Sequence, residues 1–195
     1  GSTDKSPAIL DEYGAKDPRV RVLHKENEGY GKAVNTGIEA AAGEYIGIVE
    51  SDDRILPHMY ERLYEAAKEH QVDLVKSDCI FWWDGMDYFY EYHKEHLNEF
   101  YGRVLDASYR RTFFVFLMNI WSGIYSMDFL ERHHIRCNET PGASYQDNGF
   151  WMQTMSLAER AMWLKEAFYL YRQDNPASSI KSKTKAMAMM EEYDF

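Results

Sequence analysis

The 195-residue sequence predicts an α/β fold, a mostly parallel sheet flanked by helices. Three observations carry this. Residues 45–49 (YIGIV) form an almost unbroken apolar run, the pattern of a strand covered on both faces. Helical periodicity brackets that run: residues 32–42 precede it, and a segment opened by Pro57 follows, with Tyr60, Leu63, Tyr64 and Ala67 at i, i+3, i+4 and i+7. Residues 19–24 (RVRVLH) alternate like a strand further upstream. The resulting strand, helix, strand is expected to make a parallel, right-handed crossover.

The remaining elements follow in order. Residues 7–15 predict a short helix, with Pro7 in its first turn and Ile9, Leu10 and Tyr13 apolar. Residues 27–31 (NEGYG) predict a glycine-punctuated loop, and Gly43 suits the left-handed residue that closes the helix after it. Residues 72–75 and 79–83 are the next strands. Residues 84–99 are aromatic and charged without period, as in a loop or lid. Helices are expected at 109–119 and 127–134, then at 147–160 with Asp147 as its N-cap, and a strand at 167–172. One domain is expected in two halves, an α/β half over 1–83 and a less regular, helical half over 84–195.

Composition narrows the function. Hydrophobic residues make up 45% and aromatics 15%, enough for a well-packed core. The net charge is −10 and no basic stripe is present, which argues against a nucleic-acid ligand. Cys79 and Cys137 stand far apart and read as free thiols in a reducing compartment. No apolar run reaches the roughly 18 residues of a membrane span. These features suit a cytoplasmic protein.

The chemistry concentrates where the apolar run ends. Glu50-Ser51-Asp52-Asp53 places three carboxylates in four residues. In open α/β sheets ligands bind at the carboxyl ends of strands. Clustered carboxylates repel one another and call for a cation or full solvation. Hard oxygen donors in low number suit Mg²⁺ or Mn²⁺ shared with a phosphate-bearing substrate. The competing reading is a solvated turn in which Asp53 favours the N-terminus of the next helix.

The block KENEGYGKAVNTGIEAAAGEYIGIVESDD resembles the central block of the family 2 glycosyltransferases: E-N-x-G, a helix with A-x-N-x-G, then G-E-Y-I and a strand ending in D-x-D-D. GSTDKSPAILDEY resembles the preceding segment of that family, and YQDNGFW and YLYRQDNPASS resemble its later E-D helix start and Y-R strand end. The match is tight over residues 1–80 and looser afterwards. Two departures stand out: Glu50 replaces the usual first Asp, and the family's opening strands fall outside this chain. The tail KAMAMMEEYDF stops in a helical pattern without a cap, so a segment of a longer protein is expected at both ends.

The resemblance implies a GT-A (Rossmann-like) fold that moves a sugar from a nucleotide diphosphate sugar to a saccharide or lipid-linked saccharide acceptor, inverting the anomeric centre. The implied setting is cell-surface polysaccharide synthesis, at the inner face of the membrane. Asp52 would hold Mn²⁺ or Mg²⁺, with Glu50 near the donor ribose and Asp53 in support. The family's donor-side helix carries Lys32 and Asn35, though a solvated lysine and a local turn former read equally well. Asp147 matches the catalytic base, and its capping role is compatible with that. A helix N-terminus keeps the carboxylate ionised but lowers its basicity. Gln146 stands where many relatives have an acid. Arg172, Ser178 and Ser179 are weaker phosphate candidates. Trp82, Trp83, Tyr88, Tyr90 and Trp121 could stack on an acceptor sugar, although Trp82 and Trp121 fit the core better. The alternatives are a nucleotidyltransferase, which would normally carry a glycine-rich phosphate loop, and an inactive glycosyltransferase-like binding module.

Overall fold

A computed structural model describes residues 1–86, 89–92, 94–176, 178, 190 and 192, with 89–91 described by their strand alone. The helices are α1 (Ser6–Lys16), α2 (Tyr30–Ala40), α3 (Met59–His70), α4 (Arg110–Phe113), α5 (Met127–Arg132) and α6 (Gln146–Leu157). The strands are β1 (Tyr45–Gly47), β2 (Arg54–Ile55), β3 (Leu74–Trp82), β4 (Phe89–Tyr92), β5 (Val104–Asp106), β6 (Gly123–Ser126) and β7 (Arg160–Arg172).

The expected α/β sheet flanked by helices is present, in the order β1-β6-β3-β7-β2, with β4 also on β3 and β5 also on β7. Its two long strands, β3 and β7, lie parallel, from Leu74 opposite Ala161 to Trp82 opposite Arg172. The other five described pairs are antiparallel, so the pairing is more mixed than a mostly parallel sheet. The reason is long-range. β1 pairs with β6 from the second half of the chain, and short strands from distant segments fill the flanks of β3 and β7. Strands from either side of residue 83 thus alternate in one sheet.

Helix α3 shows how sequence becomes packing. Met59, Leu63 and Ala67 lie four residues apart on one stripe and are fully buried. They pack with Val75, Cys79, Ile124, Met162 and Tyr169. Met59 and Leu63 each contribute about 1.5–3 kcal/mol on full burial, and the single methyl of Ala67 less. A second cluster contains Ile38, Leu74, Phe113, Phe116, Tyr125, Phe129, Phe150 and Trp163. Lys76 of β3 is also buried; its Nζ donates to Asn119 O (2.7 Å), Asn119 Oδ1 (2.9 Å) and Tyr125 Oη (3.1 Å).

Several local expectations are corrected. Residues 19–24 are not a strand: Val20 and Leu23 are exposed, and no described strand pairs with them, so the expected parallel crossover is not formed here. Helix α2 ends at Ala40 with Ala41 extended, and Gly43 is not among the positive-φ glycines. The helix expected over 109–119 is a single turn, α4. The run after it is apolar all round, burying Phe116 and Ile120 while Phe114 and Met118 face outward, so no amphipathic stripe supports it. Residues 72–75 and 79–83 merge into one strand, β3, and β7 begins at Arg160 rather than 167.

Candidate active site

β1 carries the chain to the acidic turn, and three elements from elsewhere hold it there. Glu50 Oε1 accepts from the hydroxyl of Tyr30, in the first turn of α2, at 2.5 Å. The backbone N–H of Glu50 donates to Tyr169 Oη of β7 at 3.0 Å. The Tyr169 hydroxyl in turn donates to Asp53 Oδ2 at 2.8 Å, and the Arg172 backbone N–H donates to Asp53 Oδ1, also at 2.8 Å. Asn175 Nδ2 donates to Asp52 Oδ2 at 2.5 Å.

These contacts separate the three carboxylates. Both oxygens of Asp53 are taken by protein donors, so Asp53 fixes the turn. Asp52 has one oxygen bonded and no described hydrogen bond on the other. No described ion pair involves any of the three. Burial pushes Glu50 up to about 7; the Tyr30 hydroxyl opposes this, and Asp147, Asp53 and Asp52 add to it. Burial likewise pushes Asp53 up to about 6, against its two hydrogen bonds, with Asp52 adding.

Asp147 lies near enough to act on Glu50 electrostatically and comes from the first turn of α6. It is not the N-cap. That position is Tyr145, in a left-handed conformation (φ 67°). Gln146, buried at the helix start, closes the preceding loop: its Oε1 accepts from Ser144 N at 2.6 Å and its Nε2 donates to Thr140 O at 3.3 Å. Burial raises the pKa of Asp147, outweighing the N–H groups of the first turn, so its basicity is raised rather than lowered.

Lys32 and Asn35 of α2 both have partners within the chain. Lys32 pairs with Glu28 at 2.5 Å on the surface. Asn35 is buried and bonds the Cys137 backbone twice, donating to its carbonyl and accepting from its N–H, each at 2.9 Å; it also donates to Glu139 at 3.0 Å. The glycines near α2 serve the same docking. A Cβ at Gly31 would lie 1.8 Å from Asn138 O, and one at Gly29 2.9 Å from Gly142 O. Backbone approaches backbone at these positions.

Trp82 and Trp121 are core residues, Trp82 stacked under the Arg54 guanidinium at 4.4 Å and Trp121 on Tyr169 at 4.3 Å. Trp83 is half-buried beside the turn at Asp84–Gly85. Arg172 bonds Asp174 (2.8 Å) and Asp84 (3.3 Å). The Ser178 N–H donates to Asn175 O at 3.3 Å. Tyr88, Ser179 and the side chain of Tyr90 lie outside the described residues. Tyr30, Tyr169 and Asn175 were not legible as site residues; only the second glycine of NEGYG, which lets α2 come close, hinted at Tyr30.

The described residues include no group of three or more His, Cys, Asp or Glu able to cage a metal. A Mg²⁺ or Mn²⁺ ion shared with substrate phosphates needs only one or two carboxylates, and Asp52, with a carboxylate oxygen to spare, fits that donor set.

An α/β domain with an acidic strand end and a second-half carboxylate beside it defines a ligand-binding class rather than one reaction. The comparisons narrow it. The Glycosyl transferase family 2 profile matches residues 1–138, and the chain belongs to that family. It is 33% identical over 186 residues to the uncharacterized glycosyltransferase EpsJ of Bacillus subtilis, covering 91% of this chain and 52% of that protein. A chondroitin synthase of Escherichia coli is 44% identical over 61 residues, 31% of this chain and 9% of that protein. The crystal structure of S. aureus TarS in complex with UDP-GlcNAc matches with a TM-score of 0.75 at 20% identity, over 98% of this chain and 52% of that one. This likeness shows the GT-A fold. The chain spans about half the length of EpsJ and of that TarS structure. No helix among the described residues is long and apolar enough to cross a membrane.

Proposed function

We propose that the protein is a metal-dependent, inverting glycosyltransferase that moves a sugar from a nucleotide diphosphate sugar to a hydroxyl of a saccharide or lipid-linked saccharide, in cell-surface polysaccharide synthesis at the inner membrane face. One observation carries this: in the turn after β1 Glu50 lies near enough to both Asp52 and, from α6, Asp147 to be acted on by them, with Asp52 held by an amide and in no ion pair among the described residues. The TarS complex supports a UDP-linked donor.

In this reading Asp147, with its raised pKa, accepts the proton of the acceptor hydroxyl as that oxygen attacks the anomeric carbon. The nucleoside diphosphate leaves from the opposite face, which inverts the centre. Asp52 would hold the divalent ion, which when bound neutralises charge on the leaving diphosphate. Glu50, kept in place by Tyr30, faces the donor ribose. Asp53, bonded at both oxygens, keeps the turn in register.

The test is product analysis with UDP-, dTDP- and GDP-sugars and Mn²⁺. The expected products are a free nucleoside diphosphate and an inverted glycoside. Asp147→Asn should lower turnover at least about a hundredfold, the low end of general-base contributions, while nucleotide affinity holds. Release of pyrophosphate would mean nucleotidyl transfer. Nucleotide binding without diphosphate release would mean a binding module.

A further inference from the structure

We infer that Asn175 is a positioning residue for the divalent cation: it fixes the Asp52 carboxylate without neutralising it. The inference rests on the proposed metal site at Asp52. β7 and the residues just after it meet the acidic turn through the Tyr169 hydroxyl on Glu50 and Asp53, the Arg172 backbone N–H on Asp53 and the Asn175 side chain on Asp52. The same strand end carries a cation that makes its ion pairs elsewhere and acts on Asp52 only as a weaker, longer-range attraction. The Arg172 guanidinium pairs with Asp174 and Asp84 and lies over the Trp82 ring at 5.7 Å. Asp52 therefore receives a neutral donor although an arginine stands three residues away.

The chemistry explains why that matters. An arginine or lysine on Asp52 would compete with a divalent ion for the same charge. An amide leaves the full negative charge in place. It occupies Oδ2, stops the carboxylate from rotating, and leaves Oδ1 as the donor for the ion. Partners that orient a metal ligand in this way typically change metal affinity or activity 10–100-fold when removed.

The test uses the full natural-length protein. Mn²⁺ binding is read by loss of the free-ion EPR signal, with and without UDP, dTDP or GDP. Metal-free thermal unfolding is measured in parallel. Asn175→Ala and Asn175→Leu, the second with the same number and branching of side-chain heavy atoms but no donor, should each raise half-saturating Mn²⁺ about tenfold while metal-free stability changes little. Half-saturation within twofold of wild type in both variants, with wild type binding Mn²⁺, would overturn the role of Asn175 alone. A loss of metal-free stability without loss of Mn²⁺ affinity would also overturn it, as a purely structural contact. No Mn²⁺ binding by wild type would overturn it together with the proposed metal dependence.

Discussion

Tyr169 is fully buried, stacked on Trp121, and its one hydroxyl accepts from the Glu50 N–H while donating to Asp53. Its replacement by Phe leaves a backbone donor and a carboxylate oxygen of the acidic turn unpaired. Tyr169→Phe should therefore cost about 1–3 kcal/mol in denaturant unfolding and should also weaken any ligand held by that turn. Asn35 offers a second residue-scale comparison with its helix neighbour. Asn35→Ala removes both bonds to Cys137 and should cost about 2 kcal/mol or more. Lys32→Ala removes a surface ion pair and should stay within about 0.5 kcal/mol. Equal costs for the two would contradict the docking role of Asn35. At this scale the sequence showed the carboxylates but not their holders. Glu50, Asp52 and Asp53 stand out as three carboxylates in four residues at the end of an apolar run, whereas Asp147, an ordinary residue for a helix start, stands out only through the family resemblance of YQDNGFW. Tyr169 and Asn175 lie 116 and 123 residues from the carboxylates they bond, and no local pattern encodes that distance.

Among the elements, α2 and β3 make the sharpest predictions. The first turn of α2 sits so close to residue 138 that Gly31→Ala would force backbone apart. It should cost about 2 kcal/mol, in the range of overpacked sites, and displace Tyr30 from Glu50. In β3, burial pushes the Lys76 ammonium down to about 7 from an ordinary 10.5. Between pH 7 and 10.5 the unfolded chain then binds the extra proton, so stability rises with pH across that window, at up to about 1.4 kcal/mol per unit. Lys76→Met should flatten that slope in pH-dependent thermal unfolding; an unchanged slope would place its origin elsewhere. The elements also show which signals were readable. Of the α3 stripe read at 60, 63, 64 and 67, Leu63 and Ala67 are buried, Tyr60 is half-buried and Tyr64 is exposed; the third buried position is Met59, one residue before the stripe. The alternation at 19–24 misled, because a period of two marks a strand only where one face finds cover, and here Val20 and Leu23 find none.

For the molecule as a whole, the α/β class was legible and the pairing sense was not. Apolar runs and helical stripes name the layers, but the neighbour of each strand is decided by contacts such as β1 with β6, 79 residues apart at the Ile46–Tyr125 pair. That long-range weaving also assembles the site, since β7 from the second half braces the turn after β1. The proposed function therefore requires the acidic turn to bind a nucleotide through a cation. The direct measurement is thermal unfolding of the full natural-length protein with UDP, dTDP and GDP, with and without Mn²⁺, beside Asp52→Ala. Ligand at 100 times its dissociation constant adds about 2.7 kcal/mol. A metal-dependent upward shift from one nucleotide, lost in Asp52→Ala, is the expected result. No shift with any nucleotide, or an equal shift in Asp52→Ala, would contradict it.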